Sequence, residues 1–230
     1  MPKKGKKYRA ALEKVDAKKV YSLEEAVALL KETSTTKFDA TVEVHMHLKI
    51  DPTQADQVIR STVGLPHGTG KEVRVIAFVD EGEAKAALAA GAIKAGNETL
   101  IEEINKGWLD FDVAVAHPEL MKSLGKIART LGQKGLMPNP KAGTVTPDIA
   151  PAIAELKKGK VEFRNDKHSN LHNAVGKISF SEDQLKENLE TYIKAIIAAR
   201  PPGAKGMFIN SVTVTSTMGP GIGVDIGTYL

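Results

Sequence analysis

The sequence has no cysteine, few aromatic residues and no long apolar run. Zero cysteines exclude disulfides, thiol nucleophiles, iron–sulfur clusters and all-cysteine zinc sites. Aromatic residues make up only 5% of the 230 positions, too few for a nucleic-acid module built on ring stacking, such as an RNA-recognition motif. No apolar run approaches the roughly 18 residues that span a bilayer. The lysine-rich start at residues 1–7 is followed by no apolar stretch of the kind a secretory signal carries. A cytoplasmic protein with no membrane partner is expected.

Recognisable catalytic patterns are missing as well. There is no Gly-x-Ser-x-Gly elbow and no paired acidic motif. Between Gly64 and Gly70-Lys71 stand five residues where a phosphate loop has four, and Glu72 occupies the place of the magnesium-binding Ser or Thr. Only seven residues follow Gly219-Pro220-Gly221-Ile222-Gly223, too few for a helix whose N-terminus would bind an anion. His45 and His47 share one strand face with Glu43, a zinc-like trio. No second cluster has ligand spacing, however; His168 and His172 are the only other close pair. Neither metal nor other cofactor is expected, and no catalytic residue is assigned.

What is present begins with charge. The chain carries 32 basic and 28 acidic groups, net +4. The first 20 residues alone hold eight basic groups against two acidic ones. A concentrated positive end attracts polyanions, although a solvated terminus has the same composition.

The hydrophobic pattern changes twice along the chain. Ser22-Leu23-Glu24-Glu25 is a capping box, predicting a helix through about Lys31. Thr41 to Leu48 alternates strictly, with Val42, Val44, Met46 and Leu48 on one face and Thr41, Glu43, His45 and His47 on the other. Residues 53–63 read as a short helix. Beyond the Gly/Pro-rich cluster 64–71, apolar runs at 73–79 and 111–116 alternate with helical stretches at 81–92 and 99–106 and a long amphipathic segment at 118–131. Such alternation marks βαβ units and a parallel sheet. After a second breaker-rich stretch at 132–147, a helix at 149–158 ends at Gly159. Half-wet strands then return at 161–164, 175–180 and 208–216, with a helix at 182–199 between the last two.

The expected fold is therefore α/β in two domains. Residues 1–67 and 160–230 form a discontinuous α+β domain with an antiparallel-type sheet. Residues 68–159 form an inserted Rossmann-like α/β domain. Gly68 and Gly159, at the two crossings, are candidate hinges, or else ordinary tight connections. The inserted domain carries 12 basic and 12 acidic groups, so the whole excess of positive charge lies in the end domain.

The polar strand faces are the strongest functional signal. Thr41 and Glu43 on one strand, and Ser211, Thr213 and Thr215 with Thr217 on another, set short donors and acceptors on a rigid platform. Such groups approach an RNA backbone and bond ribose 2′-hydroxyls. Lys37-Phe38 adds a cation and a ring, and Arg164-Asn165-Asp166-Lys167 adds further donors. Exposed Thr and Ser are also simply good strand residues.

Four motifs carry a resemblance to a known family. They are the run from Gly125-Lys126-Ile127-Ala128-Arg129-Thr130 to Gly143-Thr144-Val145-Thr146; Leu65-Pro66-His67-Gly68-Thr69-Gly70-Lys71; Val161-Glu162-Phe163-Arg164-Asn165-Asp166-Lys167; and Ser216-Thr217-Met218-Gly219-Pro220. In this order, and over nearly the whole chain, the sequence resembles the bacterial family of the first protein of the large ribosomal subunit ("L-one"). The resemblance implies a two-domain, non-catalytic protein that acts as a monomer within the ribosome. It implies binding to large-subunit ribosomal RNA at the mobile lateral stalk, assistance to discharged tRNA leaving the exit site, and repression through a similar RNA structure in the protein's own operon mRNA. The family's RNA-contacting positions match Lys37, Phe38, Thr41, Glu43, Lys167, Ser211, Thr217, Met218 and Gly219, with Arg164 and Asp166 in the adjoining motif. In the inserted domain Arg129, Lys134 and Lys141 are placed to touch tRNA or a second RNA segment, or else only pack the joint. Where many relatives have Phe-x-Glu-Thr-Val-Glu, this chain has Phe38-Asp39-Ala40-Thr41-Val42-Glu43, so it lacks one carboxylate. Two rival readings are a small α/β nucleotide- or metal-dependent enzyme and a protein-interaction module.

Overall fold

The computed structural model describes residues 5–204 and 206–229. Lys3 and Lys4 of the basic start lie outside the described residues. In chain order the elements are α1 (Lys6–Leu12), α2 (Leu23–Thr33), β1 (Thr41–Leu48), β2 (Arg60–Gly64), β3 (Val75–Phe78), α3 (Glu81–Ala89), β4 (Lys94–Gly96), α4 (Glu98–Asn105), β5 (Val113–Ala116), α5 (Ala128–Lys134), α6 (Ile149–Lys157), β6 (Lys160–Arg164), β7 (Asn170–Lys177), α7 (Glu182–Ala198), β8 (Ile209–Ser216) and β9 (Ile222–Val224). They fall into two compact units, Met1–Gly70 with Val161–Leu230, and Lys71–Lys160. Among the described residues no helix is long and apolar enough to cross a membrane.

The end unit is built on a four-stranded antiparallel sheet in the order β7-β1-β8-β9. Two capped helices bury its apolar face. The Glu25 amide donates to Ser22 Oγ at 3.2 Å at the head of α2, and the Gln184 amide donates to Ser181 Oγ at 3.2 Å at the head of α7. α7 turns Leu185, Leu189, Tyr192, Ile193 and Ile196 inward, the spacing of one helical stripe. These meet Val42, Val44, Met46 and Leu48 of β1 in a single core with Val27 and Leu30 of α2. β2 and β6 form a separate two-stranded ribbon.

The inserted unit holds a three-stranded parallel sheet in the order β4-β3-β5. All four residues of β3 are buried. Ile76 and Phe78 enter one core with Leu100, Ile101 and Ile104 of α4, and Val75 and Ala77 enter the other with Ile149, Ile153 and Leu156 of α6. A strand buried on both faces is apolar throughout, which is what the run at 73–79 showed.

Several local expectations are corrected. Residues 53–63 are not a helix. The Asp51 carboxylate accepts from the Thr53 amide at 3.0 Å and from Thr53 Oγ1 at 2.6 Å, which satisfies the local polar groups in a turn instead. β2 follows that turn, and the Ile59 amide ahead of it donates to Asn165 Oδ1 at 2.8 Å. The strand placed at 175–180 lies at Asn170–Lys177, because Ser179 turns away to bond Asp39 through its amide and hydroxyl at 3.0 and 2.9 Å. The segment 118–131 is broken into two 3-10 stretches, Pro118–Met121 and Ser123–Lys126, before α5. There Ser123 Oγ donates to the Leu120 carbonyl at 2.7 Å, and Gly125 weakens the helix further. β9, one rung of the sheet beyond β8, was not expected at all.

Candidate nucleic-acid interface

Because β1 lies between β7 and β8, side chains of three strands share its polar face. Glu43, His45 and His47 stand opposite Ala174, His172 and Asn170 of β7, and opposite Thr215, Thr213 and Ser211 of β8. Thr41 heads the row beside Lys177. The row is half-buried or exposed along its length. A bulge at Val175 separates the partners of Val42 and Glu43. Its carbonyl accepts from the fully buried Asn188 at 2.8 Å; the same Asn188 accepts from the His67 amide at 3.1 Å and donates to the Gly68 carbonyl at 2.9 Å.

At the first end of this face the structure brings together Thr41, Thr217, Met218 and Gly219. The Thr41 amide donates to Thr217 Oγ1 at 2.9 Å, and the Thr217 amide donates to the Thr41 carbonyl at 2.9 Å. Lys177 Nζ donates to Thr41 Oγ1 at 2.8 Å. The hydroxyls of Thr41, Thr215 and Thr217 therefore serve to hold the platform together, whereas the side chains of Ser211 and Thr213 bond no other described residue. The Gly219 amide closes a turn onto the Ser216 carbonyl at 2.7 Å. Within it Met218 has φ 67°, a left-handed conformation rarely taken by such a side chain, and is 75% exposed. A Cβ at Gly219 would collide with Ser216 Oγ and crowd the Ser216 carbonyl, so a side chain there would force Ser216 to shift. Lys37 and Phe38 lead into β1, with Phe38 60% exposed.

Ser211, Arg164, Asp166 and Lys167 belong to the other end. Ser211 stands opposite His47, whose Nδ1 bonds Asn170 Oδ1 at 2.9 Å. Asp166 is the knot of the β6–β7 connection: its carboxylate accepts from the amides of Asn170 and His168 at 2.7 and 2.8 Å. These bonds, the Asn170 amide first, hold its pKa below the usual carboxylate range. Asp166 thus fixes the turn that presents Lys167 and His168. Arg164, Lys167 and Lys37 are exposed and enter no ion pair among the described residues.

Glu43 stands between the two ends, with its carboxylate 3.7 Å from His45 Nε2. Across the strand His45 Nδ1 faces His172 Nδ1 at 2.9 Å. The sequence showed two close histidine pairs, His45 with His47 and His168 with His172, but not that His45 and His172 meet, because the pairing depends on the register of strands far apart in the chain. Lys177 was missed for the same reason. Among the described residues no group of three or more His, Cys, Asp or Glu side chains is placed to hold a metal ion.

Six residue steps separate Thr41 from His47 along β1, about 20 Å at strand geometry. The candidate residues thus form two clusters joined by a strip of imidazoles, hydroxyls and one carboxylate. A small ligand cannot touch both clusters, but an extended polymer can.

Comparison with known proteins agrees in extent as well as in kind. Residues 30–220 match the model of the ribosomal protein L1p/L10e family. The chain is similar to the large ribosomal subunit protein uL1 of Chloroflexus aurantiacus, 58% identical over 228 residues that cover 98% of this chain and 96% of that protein. It is also similar to the proteins of that name from Mycobacteroides abscessus, 55% identical over 99% of this chain and 97% of that one, and from Lactobacillus delbrueckii subsp. bulgaricus, 52% identical over 98% and 97%.

Proposed function

The chain belongs to the ribosomal protein L1p/L10e family, and from that premise we propose that it is a structural constituent of the large ribosomal subunit whose open β7-β1-β8 face binds large-subunit ribosomal RNA at the lateral stalk. The family is non-enzymatic and ribosomal, so the protein works in the cytoplasmic ribosome. The observation that supports RNA as ligand is the two-ended face. Unpaired cations stand at both ends, and Met218 and Phe38 expose apolar surface beside the first end. RNA offers a matching ligand: phosphates for Lys37, Arg164 and Lys167, ribose hydroxyls for Ser211 and Thr213, and bases or sugars for Phe38 and Met218. Thr41, Thr217, Gly219 and Asp166 act by holding this surface in shape, with Glu43 at its centre as an acceptor for 2′-hydroxyls.

The finer activities rest on the same reading. Assistance to discharged tRNA leaving the exit site is assigned to the inserted unit, where Arg129, Lys134 and Lys141 are exposed with Lys122 and Lys126 in the same segment. Motion for this role comes from the crossings at Gly68 and Gly159, with φ of 65° and 105°. Gly68 is anchored by Asn188, so freedom at the first crossing begins beyond it. Repression of the protein's own operon follows if its mRNA offers the same RNA shape to the same face.

Binding to a lateral-stalk ribosomal RNA fragment and to a scrambled RNA of equal length, at two salt concentrations, tests the proposal. Preference for the stalk fragment that persists at the higher salt is the expected result. Equal binding to both, vanishing with salt, would leave only the basic terminus at work and overturn it.

A further inference from the structure

We propose that the His45–His172 pair, at the middle of the open face, is a seat for one RNA backbone phosphate that takes up a proton as it fills, so that RNA affinity rises as pH falls. This deepens the RNA-binding reading above and depends on it. Neither histidine is among the positions that the family resemblance supplies.

The argument starts from the 2.9 Å between the two Nδ1 atoms. At that separation one nitrogen must donate and the other accept. Two neutral rings satisfy this, and so does a pair carrying one extra proton, in which the imidazolium N–H donates to its neutral partner. A second extra proton leaves two N–H groups facing each other with no acceptor between them, and two like charges in contact. The free protein therefore resists full protonation of the pair. Burial first, and then the facing His172, hold the His45 imidazole below its ordinary pKa, with Glu43 opposing them. A phosphate oxygen that bridges the two Nδ1 atoms from the open side of the sheet, replacing their bond to each other, changes this balance. It accepts from both N–H groups and its charge offsets theirs, so the doubly protonated pair becomes the favoured state of the complex. The proton comes from the solvent, and no other bond is made or broken.

The surroundings allow it. On β1 the pair is flanked by Glu43, 3.7 Å from His45 Nε2, and by His47, which is engaged with Asn170. From the β7 side Asp166 Oδ2 lies 3.8 Å from His172 Nε2, and His168 and Lys167 stand in the same turn. β8 contributes only Ser211, Thr213 and Thr215, none of which titrates in this range. The two carboxylates lie on the outer Nε2 atoms, Glu43 favouring the charged form of His45, which leaves the Nδ1 atoms to the ligand. With Lys37 at one end of the face and Lys167 at the other, the seat supplies a cation where the sequence offers no lysine or arginine.

The test measures affinity of the full chain for the stalk fragment at pH 8 and pH 6, at constant ionic strength. Uptake of one proton raises affinity by up to about tenfold per pH unit through the range in which the pair titrates. A gain of at least fivefold is expected for the native protein, falling below twofold in His45→Asn and in His172→Asn. The histidine Hε1 NMR resonances supply the second readout: both should titrate at higher pH in the complex than in the free protein. Selective stalk binding with the same affinity at both pH values, or with an undiminished gain in both variants, overturns this proposal and leaves the RNA-binding reading intact. Loss of stalk selectivity at both pH values overturns the two together.

Discussion

The two sheets of this molecule solve opposite problems. In the inserted unit β3 is buried on both sides, so every residue from Val75 to Phe78 is committed to one of two cores. In the end unit β1 commits only alternate residues, and the other half of the strand stays at the surface. A sheet packed on both faces has only its loops and helix ends left for chemistry. A sheet packed on one face offers a rigid, repeating surface, and the polar side chains of three strands are aligned there by backbone register alone. The difference explains why the candidate residues concentrate in the end unit, although the inserted unit contains the fold more often associated with ligands.

The sharpest way to break that comparison is to substitute consecutive residues in each strand. Met46→Ala in β1 should cost about 2–5 kcal/mol in urea unfolding, and His45→Ala beside it no more than about 0.5 kcal/mol. In β3 no tolerant position is expected: Phe78→Ala should cost about 3–5 kcal/mol, and Ala77→Leu about 1–3 kcal/mol through overpacking. A tolerant alternate position in β3 would mean that its second face is not packed. The next effect concerns how the open face is held. Asn188→Ala removes a fully buried side chain that bonds the His67 amide and the Gly68 and Val175 carbonyls, and should lower stability by about 3 kcal/mol. Smaller, and opposite in sign, is Met218→Gly. It relieves the left-handed strain at that position, so stability should rise by about 1 kcal/mol while stalk-RNA affinity falls several-fold. The smallest effect is the pH response of the β6–β7 turn. Its Asp166 carboxylate is held below its ordinary pKa, so the turn's contribution is complete at neutral pH. It is lost only as the pH falls below the usual carboxylate range, which can be followed as faster exchange of the Asn170 amide; Asp166→Asn should remove that response.

What the sequence revealed follows the range of the physics. The capping box at Ser22 and the alternation of β1 are local and were legible. So was the double burial of β3, since a strand with no wet face shows no alternation. The failures at 53–63 and 118–131 are also local, but they turn on side chains that bond nearby backbone, the Asp51 carboxylate accepting from the Thr53 amide and Ser123 Oγ donating to the Leu120 carbonyl. Hydrophobic patterning is blind to that competition. The contacts of Thr217 and Gly219 needed the fold, because the Thr217 hydroxyl meets Thr41 and the space left by the missing Cβ of Gly219 is taken by Ser216 Oγ. The meeting of His45 and His172 needed it most, because it depends on strand register over a long span of chain.

Thr41 and Thr217, bonded to each other, are 176 positions apart. Protein synthesis proceeds from the N-terminus, so this separation is also an interval of time. β1 emerges early, with neither of its sheet neighbours, β7 and β8, yet made. Lys71–Lys160 is one uninterrupted stretch and is complete well before β8 is added. The open face appears only when residues 209–219 arrive to complete it. A nascent chain released before that point carries the whole inserted unit and no finished surface for RNA.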